Sequence, residues 1–144
     1  MFDELSRLQR EWRVFTPRPG YYDEVHDKYA HALESEDSLI VVAEDEGEVV
    51  GMAYGELTRP SSFSDERALE ISSVAVRAGY RGRGVGKAVV SEAVRFALGR
   101  GVEWVTLKTF APNEAAMGFW RTLGFSPRVV QLSASASEVA RRSR

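Results

Sequence analysis

Residues 69 to 110 read as a strand, a glycine-rich turn, a helix and a second strand, and this run constrains the fold more than any other stretch. ALEISSVAVR is rich in β-branched residues, and a strand over 69 to 77 with a period of two puts Glu70, Ser72, Val74 and Val76 on one face. YRGRGVGK then places Gly82, Gly84 and Gly86 among Arg81, Arg83 and Lys87. From Val85 to Leu98 the apolar residues Val89, Val90, Ala93, Val94 and Ala97 follow a helical period, with Gly99 and Gly101 as stop signals. VEWVTLKTF, residues 102 to 110, alternates Val102, Trp104 and Thr106 against Glu103, Val105 and Leu107. Two strands joined through a helix lie parallel in one sheet, with the helix on one face.

The remaining chain supplies antiparallel and helical elements. Phe2, Leu5, Leu8, Trp12 and Phe15 predict a helix closed by Pro17, Pro19 and Gly20. Tyr22, Val25, Tyr29 and Leu33 predict a second amphipathic helix with that stripe in the core. SLIVVAEDEGEVVGMAYGEL reads as a hairpin around an acidic turn, Glu44 to Glu48, in which Gly47 can take positive φ. RPSSFSDER is a polar loop. Asn113 to Leu123 is a short helix with Ala116, Phe119, Trp120 and Leu123 on one stripe, closed by Gly124. RVVQLSAS suggests a last strand, and residues 137 to 144 a frayed tail. The expectation is a single α/β (α+β) domain over 1–144 built on a mixed sheet.

Several function classes fall away on composition. No cysteine is present, so there is no thiolate nucleophile, disulfide framework or zinc knuckle. His26 and His31 do not share a helix face, and no metal site is expected. A formal charge of -2 gives no global attraction to nucleic acid, and no apolar run approaches the roughly 18 residues of a membrane span. The start, MFDELSRLQREW, lacks the apolar stretch of a secretory leader, which favours a cytoplasmic protein.

The glycine loop fits neither common nucleotide pattern. A dinucleotide fingerprint needs G-x-G-x-x-G, whereas Gly82, Gly84 and Gly86 run G-x-G-x-G with Lys87 in the last glycine's place. A Walker A loop needs Ser or Thr after Gly-Lys, and Ala88 stands there. What remains is general physics. Glycines between strand and helix let successive N–H groups turn toward an anion at the positive helix end, and Arg81, Arg83 and Lys87 add charge. A plain helix start with solvated arginines satisfies the same residues. An RGG-like nucleic-acid contact would need interleaved aromatics that are lacking.

Two segments together resemble the GCN5-related N-acetyltransferases (GNAT). That family's loop reads Arg or Gln, x, x, Gly, x, Gly or Ala, matched by Arg81, Gly84 and Gly86. Its second segment, an Asn, an Ala, an aromatic pair and Gly-Phe, is matched in NEAAMGFWRTLGF by Asn113, Ala116, Phe119, Trp120, Gly124 and Phe125. The match covers about residues 69 to 125, while residues 1 to 58 agree in the order of elements. The resemblance implies a mostly antiparallel mixed sheet with helices on both faces and a splayed parallel strand pair that admits acetyl-CoA. The pyrophosphate would sit on Arg81, Gly82, Arg83, Gly84, Val85, Gly86 and Lys87, and the pantetheine arm would pair with Val74, Ala75 and Val76. Asn113 would contact the cofactor or cap its helix, two compatible roles.

Acetyl transfer to an amine requires a proton acceptor, a stabilised oxyanion and a tolerated thiolate. Glu70 stands where some family members carry a catalytic glutamate, on the strand face of Val74; the same residue can equally be a structural or substrate-binding acid. Glu56 and Tyr54 are reserves. A backbone N–H near Val74 would serve the oxyanion. The family's usual acid is a tyrosine in the aromatic pair, where this chain has Trp120, whose indole donates a hydrogen bond but no proton near neutral pH. Trp120 either covers the sulfur or belongs to the core. The implied acceptor is a primary amine of a small molecule or peptide, lined by the loop Arg59 to Arg67 and by Tyr21, Tyr22, Asp23 and Glu24. No nucleic-acid or membrane partner is expected, and a homodimer is left open. A non-catalytic acyl-CoA sensor and a protein N-terminal acetyltransferase use the same residues.

Overall fold

The computed structural model describes residue 7, residues 18–60, residue 62 and residues 65–144. The expected helix of Phe2, Leu5, Leu8, Trp12 and Phe15 lies outside the described residues, as does Pro17, and so do Ser61, Phe63 and Ser64 of the polar loop. The chain divides into two units, Met1–Pro112 and Asn113–Arg144.

The first unit contains helix α1 (Tyr21–Glu34), strands β1 (Ser38–Asp45), β2 (Glu48–Leu57) and β3 (Ala68–Val76), a 3-10 turn (Ala78–Tyr80), helix α2 (Val85–Leu98) and strand β4 (Trp104–Leu107). The sheet order is β1-β2-β3-β4, antiparallel in its first two pairings and parallel in the last. The predicted mixed sheet is therefore present. The hairpin is tighter than expected: Asp45 and Glu48 still pair, and the turn is Glu46 and Gly47 alone, with φ of 48° and 82°. Positive φ at both central residues is what a two-residue turn matched to strand twist demands.

Register assigns the faces. Ile40, Met52 and Tyr54 share a face with Ser73 and Ala75, and against it α1 packs Tyr29 and Ala32. The other face carries Ala53, Leu57, Leu69 and Ile71, all buried, beneath Val89, Val90, Ala93 and Ala97 of α2. Thus, among the described residues, one helix covers each side of the sheet. The α2 bounds and its buried stripe agree with the helical period, Val94 alone being only part-buried. In α1 the stripe differs from expectation. Tyr22 and Leu33 are exposed, and the inward residues are Val25, Tyr29 and the small Ala32, whose lack of bulk lets the helix sit close to the sheet.

Two irregularities shape the sheet. Val50 is an extra residue in β2, and its carbonyl accepts from the Arg77 N–H at 2.9 Å. On β3 the register passes from Tyr54↔Ser73 to Gly55↔Ile71 and leaves Ser72 unopposed. A β-bulge of this kind shifts the alternation by one residue. The expected common face of Glu70, Ser72, Val74 and Val76 is therefore broken: Glu70 joins the α1 face, while Val74 and Val76 join the α2 face.

In the second unit α3 (Glu114–Thr122) and α4 (Ala136–Arg142) are the helices. RVVQLSAS is not a strand; Val129, Val130 and Leu132 are exposed, and β-branched composition alone does not make a strand without a paired neighbour. The expected frayed tail is instead helical from Ala136 to Arg142. Ser135 Oγ accepts from the Glu138 N–H at 3.2 Å, and Glu138 pairs with Arg141 and Arg142 one turn on.

Candidate functional site

The half-open strand pair is the centre of the site. Pairing of β3 with β4 runs from Ala68↔Trp104 to Ile71↔Leu107 and stops, because β4 ends at Leu107, short of the expected residue 110. Beyond Ile71, β3 has β2 on one side and, among the described residues, no strand on the other. The Arg77–Val50 bond continues the antiparallel ladder, whose alternation directs the backbone groups of Ser73 and Ala75 toward β2. Those of Val74 and Val76 therefore point to the open edge. The Val76 carbonyl accordingly accepts from Arg81 Nε at 3.1 Å.

This edge leads through the 3-10 turn into the glycine loop. Gly82 and Gly84 take φ of +72° and +84°, and Gly84 is the N-cap of α2 with no side-chain cap. The first ladder bond of α2 runs from the Ala88 N–H to the Gly84 carbonyl at 2.9 Å. The N–H groups of Val85, Gly86 and Lys87 therefore leave the helix end without a ladder partner, at the positive pole of the dipole. A β-carbon added at Gly82 or Gly84 would meet nothing within 4 Å, so glycine is required here by dihedral, and the surface above the turn is open. Edge, amides and open surface together fit a ligand with an anionic head and an amide-bearing arm.

The proton-acceptor candidates converge. Glu56 and Glu70 are direct cross-strand partners on the α1 face, and the buried Tyr54 donates its hydroxyl hydrogen bond to Glu56 Oε1. Opposed residues of this kind hold their β-carbons about 5 Å apart. Glu70 Oε1 stands 4.0 Å from Lys108 Nζ, with the Glu70 side chain 40% exposed. An open cleft of about 870 Å³ lies on the same face between α1 and the hairpin, lined by Glu24, Asp27, Lys28, His31, Ser38 and Glu56 among others. The Lys28 ammonium sits 4.9 Å from the Tyr54 ring centroid, and the Tyr29 and Tyr54 rings stand 5.1 Å apart. Of the residues expected to line an acceptor, Glu24 borders this cleft, while Arg67 is held by Asp37 Oδ1 at 3.1 Å and by the Thr58 carbonyl at 3.1 Å. Burial, and the phenols of Tyr29 and Tyr22, push the Tyr21 hydroxyl above its usual range.

Asn113 and Trp120 belong to the second unit. Asn113 caps α3, its Oδ1 accepting from the Ala116 N–H at 3.1 Å. The Trp120 ring meets Phe119 and Phe125 edge-on, at centroid distances of 4.9 and 5.2 Å. Among the described residues no group of three or more His, Cys, Asp or Glu side chains is gathered as for a metal ion. No described helix is long and apolar enough to cross a membrane.

Sequence reasoning missed the contacts around the loop's entrance. Tyr80 donates to Asp45 Oδ2 at 2.8 Å, Arg77 Nη1 donates to Glu48 Oε2 at 2.7 Å, and the Arg83 guanidinium lies 5.5 Å from the Tyr80 ring centroid. These partners are remote in sequence, and only the hairpin register brings them together. The bulge had a faint signal in the Ser72–Ser73 pair, which interrupts the alternation of the strand.

A strand whose open half feeds a left-handed glycine turn and a helix N-terminus, beside a mixed sheet covered on both faces, defines the acetyltransferase class of α/β domain. Residues 3–125 match the model of the Acetyltransferase (GNAT) family, and the chain belongs to that family. It is 29% identical over 98 residues to an uncharacterized N-acetyltransferase of Methanocaldococcus jannaschii, a match covering 68% of this chain and 43% of that protein. The chain thus spans less than half of that relative's length. Among solved structures, a tetramutant of the BH1408 protein from Bacillus halodurans superposes with a TM-score of 0.83 at 17% identity, covering 93% of this chain and 88% of the other. AAC(6')-Iy, in complex with the bisubstrate analog CoA-S-monomethyl-acetylneamine, gives a TM-score of 0.70 at 20% identity and covers 82% of this chain and 84% of its own. At these identities the likeness is one of fold.

Proposed function

We propose that this chain transfers an acetyl group from acetyl-CoA to a primary amine of a small molecule or peptide. The observation that carries this reading is the half of β3 that, among the described residues, has no strand on its second side and leads through the 3-10 turn into the left-handed glycine turn. Bound acetyl-CoA supplies the activated acetyl group as a thioester. Its pyrophosphate is held by the loop amides from Gly82 to Lys87, the Arg81 N–H being donated to the Ala78 carbonyl, with Arg81, Arg83 and Lys87 adding charge. The backbone groups of Val74 and Val76 take the amides of the pantetheine arm as an added strand would, while Ala75, turned toward β2, contributes shape rather than pairing. A relative in fold bound to a CoA-linked amine supports the same cofactor.

Glu70 is the proton acceptor for the incoming ammonium, directly or through water, and a backbone N–H near Val74 meets the charge that grows on the carbonyl oxygen. The acidic cleft beside Glu56 suits a cationic amine. Asn113 fixes the start of its helix. The sulfur leaves as thiolate, which a thiol of pKa about 8.5 tolerates with help from water or the new ammonium. With no cysteine in the chain, the acetyl group passes directly within a ternary complex.

Acetyl-CoA consumption, followed by thiol release across small amines, peptides and aminoglycosides, tests the proposal. Acetylation of one class with release of one thiol per product supports it. Binding of CoA with no acetylation of any amine would instead establish a non-catalytic acyl-CoA sensor, a reading favoured by one feature, Trp120 in the place of the family's tyrosine.

A further inference from the structure

We infer that Tyr80 and Asp45 form a brace that positions the glycine loop, and Arg83 in particular, for the phosphate-bearing end of the cofactor. The inference rests on the acetyl-CoA reading above. Asp45 closes the two-residue hairpin turn, where both central residues take positive φ, so its carboxylate projects from a fixed strand end. The Tyr80 hydroxyl donates to that carboxylate at 2.8 Å, and the Tyr80 ring carries the Arg83 guanidinium at 5.5 Å. Arg77, at the other end of the same short segment, is tied to Glu48 of the same turn and to the Val50 carbonyl. A segment of four residues is thus pinned at both ends before the chain enters a loop whose glycines offer no side-chain packing of their own. Hydrogen bonding to Asp45 also raises the Tyr80 phenol above its usual range, the direction expected of a donor kept protonated. Tyr80 and Asp45 are positioning residues: they act through Arg83 and the loop backbone. Without them the loop amides and the Arg83 charge would sample more conformations, and an anion would have to order them on binding.

Calorimetric titration of the full chain with CoA, and separately with pantetheine, which lacks the phosphates, tests the brace on Tyr80→Phe, Tyr80→Leu, Asp45→Asn and the Tyr80→Phe/Asp45→Asn double variant. Tyr80→Phe and Asp45→Asn should each weaken CoA about two- to fivefold, and Tyr80→Leu, which also removes the ring, about three- to tenfold. The double variant should lose no more than the worse single one, since Asp45→Asn only takes the charge from an acceptor that Tyr80→Phe has already left without its donor. Pantetheine affinity should not change. Wild type that binds CoA while the variants bind it equally well, or lose CoA and pantetheine alike, overturns the brace and leaves the acetyltransferase reading standing. Wild type that fails to bind CoA overturns both.

Discussion

At the scale of single residues, the site concentrates acids on one sheet face and bases at one turn. Glu70 sits opposite Glu56 and 4.0 Å from Lys108, while Arg81, Arg83 and Lys87 surround the loop. An alkylammonium acceptor is largely protonated at neutral pH, so a residue that removes its proton matters most when the solution removes it least. Glu70→Gln should therefore lower kcat about a hundredfold near pH 7 with CoA affinity unchanged, and the deficit should shrink as pH rises toward 10 and the free amine becomes abundant. A loss carried by the KM for the amine, with kcat unchanged, would make Glu70 an ammonium anchor instead. The pH-rate profiles of the two proteins decide between these outcomes.

At the scale of elements, the placement of α2 depends on a missing side chain. A β-carbon at Gly51 of β2 would lie 2.5 Å from Val85 Cγ1, in the first turn of α2 and next to the N-cap glycine. Val85 is β-branched and cannot swing aside, so Gly51→Ala should push the helix start outward, at a cost of about 1–3 kcal/mol. Thermal unfolding should show a Tm lower by several degrees, whereas Gly79→Ala, where an added β-carbon meets nothing within 4 Å, should stay within about 0.5 kcal/mol of wild type. Equal stability of the two variants would show that the sheet relaxes around position 51. Such a contact was not legible in the sequence, in which Gly51 looks like any small residue of a strand. What was legible followed from local rules: the α2 stripe, the hairpin, the cap at Asn113 and the glycine turn each depend on residues within one or two turns of one another. The bulge at Ser72 depends on how β3 meets β2, and it alone moved Glu70 to the face opposite Val74. The α4 helix was obscured because an arginine-rich chain end reads as polar tail, although Ser135 and Glu138 form a cap.

At the scale of the whole molecule, a near-neutral chain with 19 basic and 21 acidic residues attracts an anionic cofactor only through local arrangement. The open edge of β3 and the loop amides are hydrogen-bonding groups that a bound cofactor would satisfy, so binding energy should appear as folding energy. At a hundred times its dissociation constant, CoA adds about 2.7 kcal/mol to the folded state, a rise in Tm on the order of 10 °C for a chain of this length. Hydrogen exchange locates the origin of that gain. If the arm pairs with β3, the amides of Val74 and Val76 become protected on binding, while those of Ser73 and Ala75, already turned toward β2, change little. Protection spread evenly over all four would mean that the ligand stiffens the sheet from elsewhere, and the open edge would then need another occupant. An alternating pattern, together with slowed exchange at Val85, Gly86 and Lys87, would place the arm and the phosphates on one continuous track from strand to helix.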